Sequence, residues 1–300
     1  MSEQPRHPSV QRDPTRFNVR IAGRARTGVI FHVVCLLATA VGIVVLAALL
    51  VDIVRTGGSR LSWDFLTGFP SRFAERSGLK PALVGSAWTL VLTAAISFPL
   101  GVGTAIWLED YAPANRLRTV IETNIANLAG VPSIVYGMLG LAVFVRYFGM
   151  GRSILAGSLT LALLILPVII IASQEAIKAV PSSIRLGAYA LGATRWEAIR
   201  HHVIPLALPG ILTGTILALS RAIGEAAPLI VVGALAFVPF VPTSPADPFT
   251  VVPIQIFNWV SRPQLAFQEV AAAASIVLMV LLLSMNAGAI LLRNRYSRRN

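Results

Sequence analysis

Long apolar segments alternate with short polar stretches along this chain, and six of the apolar segments are long enough to cross a membrane. A transmembrane helix needs about 20 predominantly apolar residues, and that criterion is met at 28–53, 82–108, 126–147, 153–174, 206–232 and 267–292. Polar tails flank this region at 1–27 and 293–300. The pattern therefore predicts an all-α membrane protein whose transmembrane domain, residues 28–292, contains six helices.

Composition agrees with that pattern and excludes a soluble protein. Hydrophobic residues make up 55% of the chain and charged residues only 13%, whereas soluble domains carry about 25% charged residues. The net charge of +12 could indicate nucleic-acid binding, but no soluble stretch is long enough to form such a surface. The arginine-rich segment 1–27, followed by a full-length span, predicts an uncleaved first helix rather than a secretory signal.

The basic residues predict the orientation of the chain, because cytoplasmic loops carry an excess of lysine and arginine. If both termini lie on one side of the membrane, sixteen basic residues fall on that side and eight on the other. Arg221, inside the fifth apolar segment, is the remaining one. The bias predicts that both termini are cytoplasmic, together with segment 175–205 between the fourth and fifth spans.

Three further features refine the predicted architecture. Residues 55–80 are polar enough to form a small element on the outer side. Residues 238–265 contain six prolines, and because proline breaks a helix interior, no regular helix is expected there before Pro263. Within the fifth span, Gly210 and Gly214 form a GxxxG pattern, which predicts close helix packing rather than chemistry.

The segment 175–205 has a helical rather than a disordered pattern. Pro181, followed by two serines, is a suitable helix start, and Gly192 is placed to end that helix. Thr194 and Glu197 have the spacing of a capping box for a second helix, which we expect Pro205 to end. The segment is therefore predicted to form two short helices joined at a glycine corner.

The second of these helices is expected to place Trp196, Ile199 and Val203 on one face, with Arg195 and Arg200 directed elsewhere. Two interpretations fit this pattern. An amphipathic helix can lie on the headgroups of membrane lipid. Alternatively, the corner can form a surface projection that inserts into a partner protein.

The same segment resembles the EAA loop of ABC importer permeases. The pattern of that loop is EAA, three residues, a glycine, nine residues and an I-x-L-P ending. Gly192 and Pro205 occupy its glycine and proline positions, and Ala188 and Ala193 also fit, whereas the two residues before Ala188 depart from it. The resemblance implies a coupling helix that docks into an ATPase through Ala188, Gly192, Ala193, Thr194, Trp196, Glu197, Arg200 and Pro205.

Nothing in the chain resembles the phosphate-binding loop of an ATPase, G-x-x-x-x-G-K-[ST]. If ATP is the energy source, a separate polypeptide must bind it, and no cofactor is expected on this chain. No metal site is expected either, because the adjacent His201 and His202 are poorly spaced to share one ion on a helix face. The chain is predicted to be a transport component rather than an enzyme.

Three stretches resemble the permease subunits of the phosphate-specific ABC importer: AGVPSIVYGMLG at 129–140, the EAA-type segment, and SRAIGEAAPLI at 220–230. The last of them, with VPIQIFNWVSRP, is similar to the PstA type. The resemblance implies a bacterial plasma-membrane protein that transports inorganic phosphate with a paired PstC-like permease, a dimeric PstB-like ATPase and an external PstS-like binding protein. A permease for molybdate or sulfate fits the same features, and the residues alone also allow a membrane scaffold or sensor.

Arg221 and Glu225 are two charges inside the fifth apolar segment, four residues apart and hence on one face of a helix. Either they neutralise each other as a structural pair or they mark a transport path, since intramembrane charges usually face a wet cavity. An arginine fork suits phosphate oxygens, so Arg221 is expected to attract the anion while Glu225 holds the guanidinium of the empty path. Ser220, Tyr136 and Ser133 are the other candidate path residues, although Tyr136 could instead hydrogen-bond a neighbouring helix.

Overall fold

The computed structural model describes residues 21–234 and 237–297, and this part of the chain forms helices with no named β-strand. It divides into two compact units, residues 1–52 and 53–300. The helices are α1 Ile21–Gly57, α2 Trp63–Thr67, α3 Lys80–Ile106, α4 Arg116–Ala129, α5 Ser133–Gly140, α6 Ile154–Lys178, α7 Ser182–Ala190, α8 Arg195–Ala198, α9 Ile204–Gly224, α10 Ala227–Val232, α11 Val252–Val260 and α12 Leu265–Ser297. Residues 1–20 of the predicted amino-terminal tail and 298–300 of the predicted carboxyl-terminal tail lie outside the described residues.

Five of the predicted spans correspond to helices that are long and apolar enough to cross a membrane. Within the described ranges these are Gly28–Arg60, Lys80–Tyr111, Ile154–Lys178, Arg195–Gly224 and Leu265–Gly288. The first of them exposes its side chains from Gly28 to Leu49, as a helix surrounded by lipid does. The prediction of an all-α protein with several membrane-spanning helices is confirmed.

The third predicted span is a broken helix. We expected one helix over 126–147, but α4 ends at Ala129 and α5 begins at Ser133, with a bend of 103° between them. Pro132 accounts for the break, because proline lacks an N–H group and forces the preceding residue out of helical geometry. The single-helix prediction is therefore wrong, and the bent pair forms the sixth span if both parts lie in the membrane.

The fifth predicted span, 206–232, is also interrupted. Helix α9 ends at Gly224, Glu225 has an extended backbone with φ −82° and ψ 114°, and α10 starts at Ala227. A continuous helix would bring the ring of Pro228 against the carbonyl group of Gly224, four residues earlier. The prediction of one unbroken helix fails here for that reason.

The fifth span begins earlier than predicted, because Pro205 does not end the helix before it. Helix α8, a π-helical turn at Ile199–Val203 and α9 run on as one helix of 30 residues, Arg195–Gly224. In the π-helical turn the N–H group of Ile204 donates to the carbonyl of Ile199, five residues back. This shifted register accommodates a proline that has no N–H group of its own to donate.

Helices α3, α6 and α9 form the centre of the larger unit. At Gly214 of α9, an added Cβ atom would lie 2.3 Å from the Cβ of Ala172 in α6, and at Gly210 it would lie 2.8 Å from the Cβ of Ala176. The close packing predicted from the GxxxG pattern is confirmed. Residue numbers rise along α9 as they fall along α6 in these two contacts, so the helices are antiparallel. Arg221 is seven residues, or about two turns, beyond Gly214, and it is therefore level with Ile165, seven residues before Ala172 and near the middle of α6.

The segment that contains the six prolines is not free of helix. Helix α11 runs from Val252 to Val260 and buries Trp259 completely, against the ring of Phe65. The expectation of no helix before Pro263 is wrong, because Pro253 lies in the first turn, where a missing N–H group has no intrahelical partner to lose.

Residues 243–248 form a turn that covers the first turn of α6. Main-chain N–H groups of Thr243 and Ser244 donate to the carboxylate of Asp247, each at 2.8 Å. The carbonyl groups of Asp247 and Pro245 accept from the N–H groups of Ile154 and Leu155 at 3.1 and 2.9 Å. The turn thus satisfies main-chain donors that a helix start would otherwise leave free.

Candidate functional site

The two charges of the fifth span form an ion pair at the end of α9 rather than in the middle of a helix. Nε of Arg221 lies 3.4 Å from Oε1 of Glu225, and the two side chains are 54% and 20% exposed. Arg221 belongs to the last turn of α9, and Glu225 is the residue that caps it. The two residues are therefore neighbours, as predicted, but the prediction that both lie within one helix is wrong.

This ion pair lies far from both ends of the helix bundle. The packing of Gly214 on Ala172 places Arg221 level with the middle of α6, and α6 is itself a full-length membrane-spanning candidate. An arginine that met hydrocarbon at that depth would cost roughly 2.5–3.5 kcal/mol on insertion scales. The exposed half of the guanidinium group is therefore suited to water or to another protein chain, and not to lipid.

The other predicted path residues have different surroundings. The hydroxyl of Tyr136 donates to the carbonyl of Leu128 at 2.8 Å, and its ring is buried in the central cluster with Ala222. Of the two interpretations of Tyr136, the hydrogen bond to a neighbouring helix is the one that the structure supports. Ser220 donates to Oδ1 of Asn286 in α12 at 2.6 Å, and Ser133 is the partly exposed first residue of α5.

A polar face on helix α4 was not predicted from the sequence. Helix α4 packs Ile125 against Ile170 of α6, and its opposite side exposes Thr119, Thr123, Asn124 and Asn127. The signal was available as polar residues at helical spacing before Pro132. These hydroxyl and amide groups, with the exposed Val120 between them, form a surface on α4 that runs from the Lys178 end of α6 towards the middle of that helix.

The second candidate site is the helical corner at residues 182–205, called the coupling corner here after its predicted role. Gly192 has φ +85°, a left-handed conformation that costs glycine little and other residues more. Beyond it, Oε2 of Glu197 accepts from both the N–H group and the hydroxyl of Thr194, each at 2.8 Å, and the hydroxyl of Thr194 accepts from the N–H group of Glu197 at 3.3 Å. The predicted glycine turn and capping box are both confirmed.

The coupling corner exposes apolar side chains at its tip. Leu191 is 91% exposed, Leu186 66% and Trp196 50%. Ile199 and Val203 are fully buried, whereas Trp196, one turn nearer the start of the helix, is half-exposed. Among the other residues assigned to this site, Ala188 is buried, whereas Ala193 is partly exposed and Arg200 and Pro205 are exposed. The corner is thus fixed to the bundle on one side and presents leucine and tryptophan on the other.

A bundle of membrane-spanning helices with two interrupted spans, an ion pair at their middle and a projecting helical corner defines a membrane transport subunit. The profile of one protein family, described as the binding-protein-dependent transport system inner membrane component, matches residues 97–298. The chain belongs to this family. It is accordingly a permease subunit of an ABC transporter, a transport component rather than a catalytic one.

Curated relatives agree with this assignment. The chain is 36% identical over 261 residues to the probable ABC transporter permease protein YqgI of Bacillus subtilis, which covers 82% of this chain and 89% of the relative. It is 32% identical over 234 residues to the phosphate transport system permease protein PstA 1 of Mycobacterium tuberculosis, covering 77% and 74% of the two chains. The PstA resemblance noted in the sequence therefore extends over most of the chain.

The fold is shared with a solved ABC transporter. A chain of a bacterial alginate ABC transporter, solved in complex with a periplasmic protein that holds an alginate pentasaccharide, aligns with a TM-score of 0.64. The alignment covers 93% of this chain and 98% of the other at 17% identity. At that identity the similarity concerns the fold alone.

Proposed function

We propose that this chain is the membrane-spanning permease subunit of an ATP-driven phosphate importer in a bacterial plasma membrane, with both termini cytoplasmic. A PstC-like permease pairs with it to enclose the path, a dimeric PstB-like ATPase binds ATP, and a PstS-like protein delivers phosphate from outside. The observation that carries the proposal is the half-exposed Arg221 at mid-membrane depth in a chain with PstA relatives.

Arg221 attracts phosphate when the path is open, and Glu225 replaces the anion when the path is empty. A guanidinium group offers a planar set of donors that matches the oxygen edge of phosphate and remains charged at any relevant pH. The contact between Arg221 and Glu225 is a single one at 3.4 Å, which leaves the other guanidinium donors available. The carboxylate also limits the affinity for phosphate, so the anion can leave.

The polar face of α4 continues the path from that point. Thr119, Thr123, Asn124 and Asn127 expose hydroxyl and amide groups along the helix, and the first three donate to carbonyl groups four residues back, at 3.4, 2.8 and 2.7 Å. Their oxygen atoms can still accept hydrogen bonds from water. They hydrate the anion between Arg221 and the cytoplasmic side. Ser133, at the bend between α4 and α5, is the path residue nearest in sequence to this face.

The coupling corner docks into the separate ATPase. Leu191 and Trp196 provide the apolar contact, and the turn at Gly192 with the Thr194–Glu197 cap holds them in a fixed arrangement. A helix that lay flat on lipid would direct one continuous apolar face towards the membrane. Here the exposed apolar residues are gathered at the tip of a bend, a shape that suits a groove better than a plane.

Uptake of radiolabelled phosphate by the reconstituted complex tests the role of Arg221. Arg221→Leu should abolish uptake, Arg221→Lys should retain part of it because a point charge replaces a fork, and Glu225→Gln should slow turnover, all with the complex assembled. Arg60→Leu removes an arginine from another ion pair, with Glu269 at 2.9 Å, and serves as the control. Normal uptake by Arg221→Leu, or loss of assembly in every Arg221 variant, would leave the pair with a structural role only.

The identity of the cargo requires a separate experiment, since sulfate and molybdate would use the same kind of path. ATP hydrolysis by the complex is measured with binding protein loaded with phosphate, sulfate or molybdate in turn. Stimulation by phosphate alone supports the proposal, and stimulation by another oxyanion alone would replace phosphate as the substrate.

Docking of the corner is tested by co-purification of the ATPase. Gly192→Val places a β-branched residue at φ +85°, where its side chain is strained, and should reduce both co-purification and substrate-stimulated ATP hydrolysis. Gly187→Ala, in the regular helix α7 beside it, is the control and should change neither. If Gly192→Val couples normally at normal protein levels, the corner lies on lipid instead.

A further inference from the structure

Two adjacent carboxylates at the end of α3 take no part in the function proposed so far. Asp110 and Glu109 lie in the π-helical turn Trp107–Tyr111, and their side chains are only 6% and 10% exposed. Nε of Arg185, in the coupling corner, donates to Oδ1 of Asp110 at 3.0 Å. A charged contact therefore joins the corner to a transmembrane helix across 75 residues of sequence.

Arg185 is held by more than this ion pair. Its Nη1 atom donates to the carbonyl oxygen of Val180, just beyond α6, at 3.2 Å, and its Nη2 atom donates to that of Ile177, in the last turn of α6, at 3.3 Å. The planar guanidinium group thus has three acceptors in fixed directions, which a lysine could not match. Helix α7 is consequently fixed to the ends of both α3 and α6 by one side chain.

Glu109 makes the corresponding connection to α4. Its Oε1 atom accepts from Nε2 of Gln174 in α6 at 3.0 Å and from Nη2 of Arg118 in α4 at 3.4 Å. Lys178 adds an ion pair at 3.5 Å. Because Glu109 and Asp110 are consecutive, their side chains leave the helix in different directions, and one short turn contacts α4, α6 and α7 together.

We propose that Asp110 and Glu109 form a joint that transmits movement of the coupling corner to α4. The inference rests on the proposed docking of the corner into an ATPase and adds the route by which that contact reaches the transport path. Asp110 and Arg185 act as positioning residues, and neither has to touch phosphate or ATP.

The burial of Asp110 explains why the joint would transmit movement instead of giving way. If α7 moved alone, Asp110 would stay buried without its counter-charge, which is strongly unfavourable. Among the described residues Arg185 is the one charged partner of Asp110, and the second carboxylate oxygen, Oδ2, is buried and accepts no hydrogen bond. The favourable response is for the π-helical turn to move with α7, and Glu109 then carries α4 along through Arg118.

Movement of α4 reaches the middle of the membrane by a short route. The last turn of α4 contains Leu128, whose carbonyl accepts from the buried hydroxyl of Tyr136 in α5. The polar residues of α4 lie between these two ends. A displacement at the corner therefore alters both the polar face of α4 and the bend that follows it.

The test is the number of phosphate ions transported per ATP hydrolysed by the complete complex in liposomes. Asp110→Asn and Arg185→Gln should each lower this ratio by about fivefold or more, a typical size for coupling between sites, while the ATPase still co-purifies. Glu175→Gln is the control, because Glu175 lies at the same end of α6 and pairs with Lys178 at 3.3 Å, but is 69% exposed. The control should keep the wild-type ratio.

A covalent link distinguishes transmission of movement from simple stabilisation. In a complex free of other accessible cysteines, with Cys35 replaced, Asp110→Cys and Arg185→Cys are joined by a bifunctional thiol reagent about the length of the ion pair. The link should restore the ratio although both charges are gone. If the linked complex is assembled but uncoupled, or if neither the single variants nor the linked complex assembles, the joint has only a structural role.

The proposed function and this inference fail in different ways. If the wild-type complex transports no phosphate, or if no ATPase co-purifies with it, the proposed function fails. If the wild type transports phosphate and Asp110→Asn has the same phosphate-to-ATP ratio, only the joint is refuted.

Discussion

Gly214 of α9 faces Ala172 of α6 at a point where neither helix has a flexible side chain. An added Cβ atom at Gly214 would lie 2.3 Å from the Cβ of Ala172, with the next atom, its Cα, at 3.6 Å. Neither Cβ can move away by a change of rotamer. The variant Gly214→Ala therefore tests directly whether the two helices are as close as described.

The size of the effect follows from these distances. Carbon atoms prefer separations of about 3.5–4.0 Å, so Gly214→Ala requires α9 and α6 to move apart locally by about 1.2–1.7 Å. Overpacking of this kind typically costs about 1–3 kcal/mol. The gain in helix propensity from glycine to alanine offsets at most about 1 kcal/mol. We expect a net loss of stability.

The assay is the temperature at which half of the detergent-solubilised protein loses its monodisperse elution peak, measured at one heating rate because membrane proteins often unfold irreversibly. Gly214→Ala should lower this midpoint. Ala172→Gly removes the conflicting Cβ and leaves the Cα of residue 172 at an ordinary contact distance. The double variant should therefore regain most of the lost stability.

Gly103→Ala is the matched control, since an added Cβ at Gly103 of α3 meets no atom within 4 Å. It should leave the midpoint unchanged or raise it slightly through helix propensity. Equal behaviour of Gly214→Ala and Gly103→Ala, or a double variant no more stable than Gly214→Ala, would refute the packing described for α6 and α9.

Three further predictions concern the orientation and the stability of the chain. Single cysteines introduced near positions 10 and 296 should resist a membrane-impermeant thiol reagent in intact cells, and one near position 68 should react; labelling of either terminus from outside would contradict the orientation. Tyr136→Phe should lower stability by about 0.5–1.5 kcal/mol, the usual contribution of one hydrogen bond, in the same thermal assay, and an unchanged midpoint would mean that the bond to the carbonyl of α4 contributes nothing. Hydrogen bonds from the Thr243 and Ser244 N–H groups hold the pKa of the Asp247 carboxyl below its ordinary value, so its contribution is present above that ordinary value and is lost as the pH falls through the lowered one. Asp247→Ala should thus be less stable than wild type at neutral pH, with a difference that shrinks in acid; a difference independent of pH would exclude the carboxylate as its cause.

Much of the helical architecture could be predicted because uninterrupted apolar runs of membrane length have few other uses. The segment predicted at 153–174 corresponds to Ile154–Lys178 for this reason. The two breaks could not be predicted from apolar composition, because it continues through both of them; their signals are Pro132 and Pro228, which disturb the backbone without making the segment less apolar. Most of helix α4 was not predicted, because the face it packs on carries the charged residues Arg118 and Glu122. Glu109, the second partner of Arg118, is not adjacent to it in sequence.

Prediction of the sites succeeded where the interactions are local. The Thr194–Glu197 cap involves residues three apart and the turn at Gly192 depends on one residue, so sequence spacing sufficed for both. The exposure of Trp196 depends on how the corner packs against the bundle, which spacing alone does not define. The contact between Asp110 and Arg185 depends on tertiary structure entirely and had no local signal.

The interruption of the fifth span has an electrostatic consequence for Arg221. The carboxyl-terminal end of a helix carries about half a negative elementary charge, which favours a nearby cation by about 0.3–1 kcal/mol and by up to about 2 kcal/mol in partly buried positions. Arg221 lies in the last turn of α9, so the helix end balances part of its charge independently of Glu225. Glu225 has an extended backbone beyond the helix, and it can therefore turn away without unwinding any of α9. In the transport cycle proposed above, an incoming anion that displaces the carboxylate would leave the arginine with one fixed partner, and this transient state would be less costly than a bare cation inside a membrane.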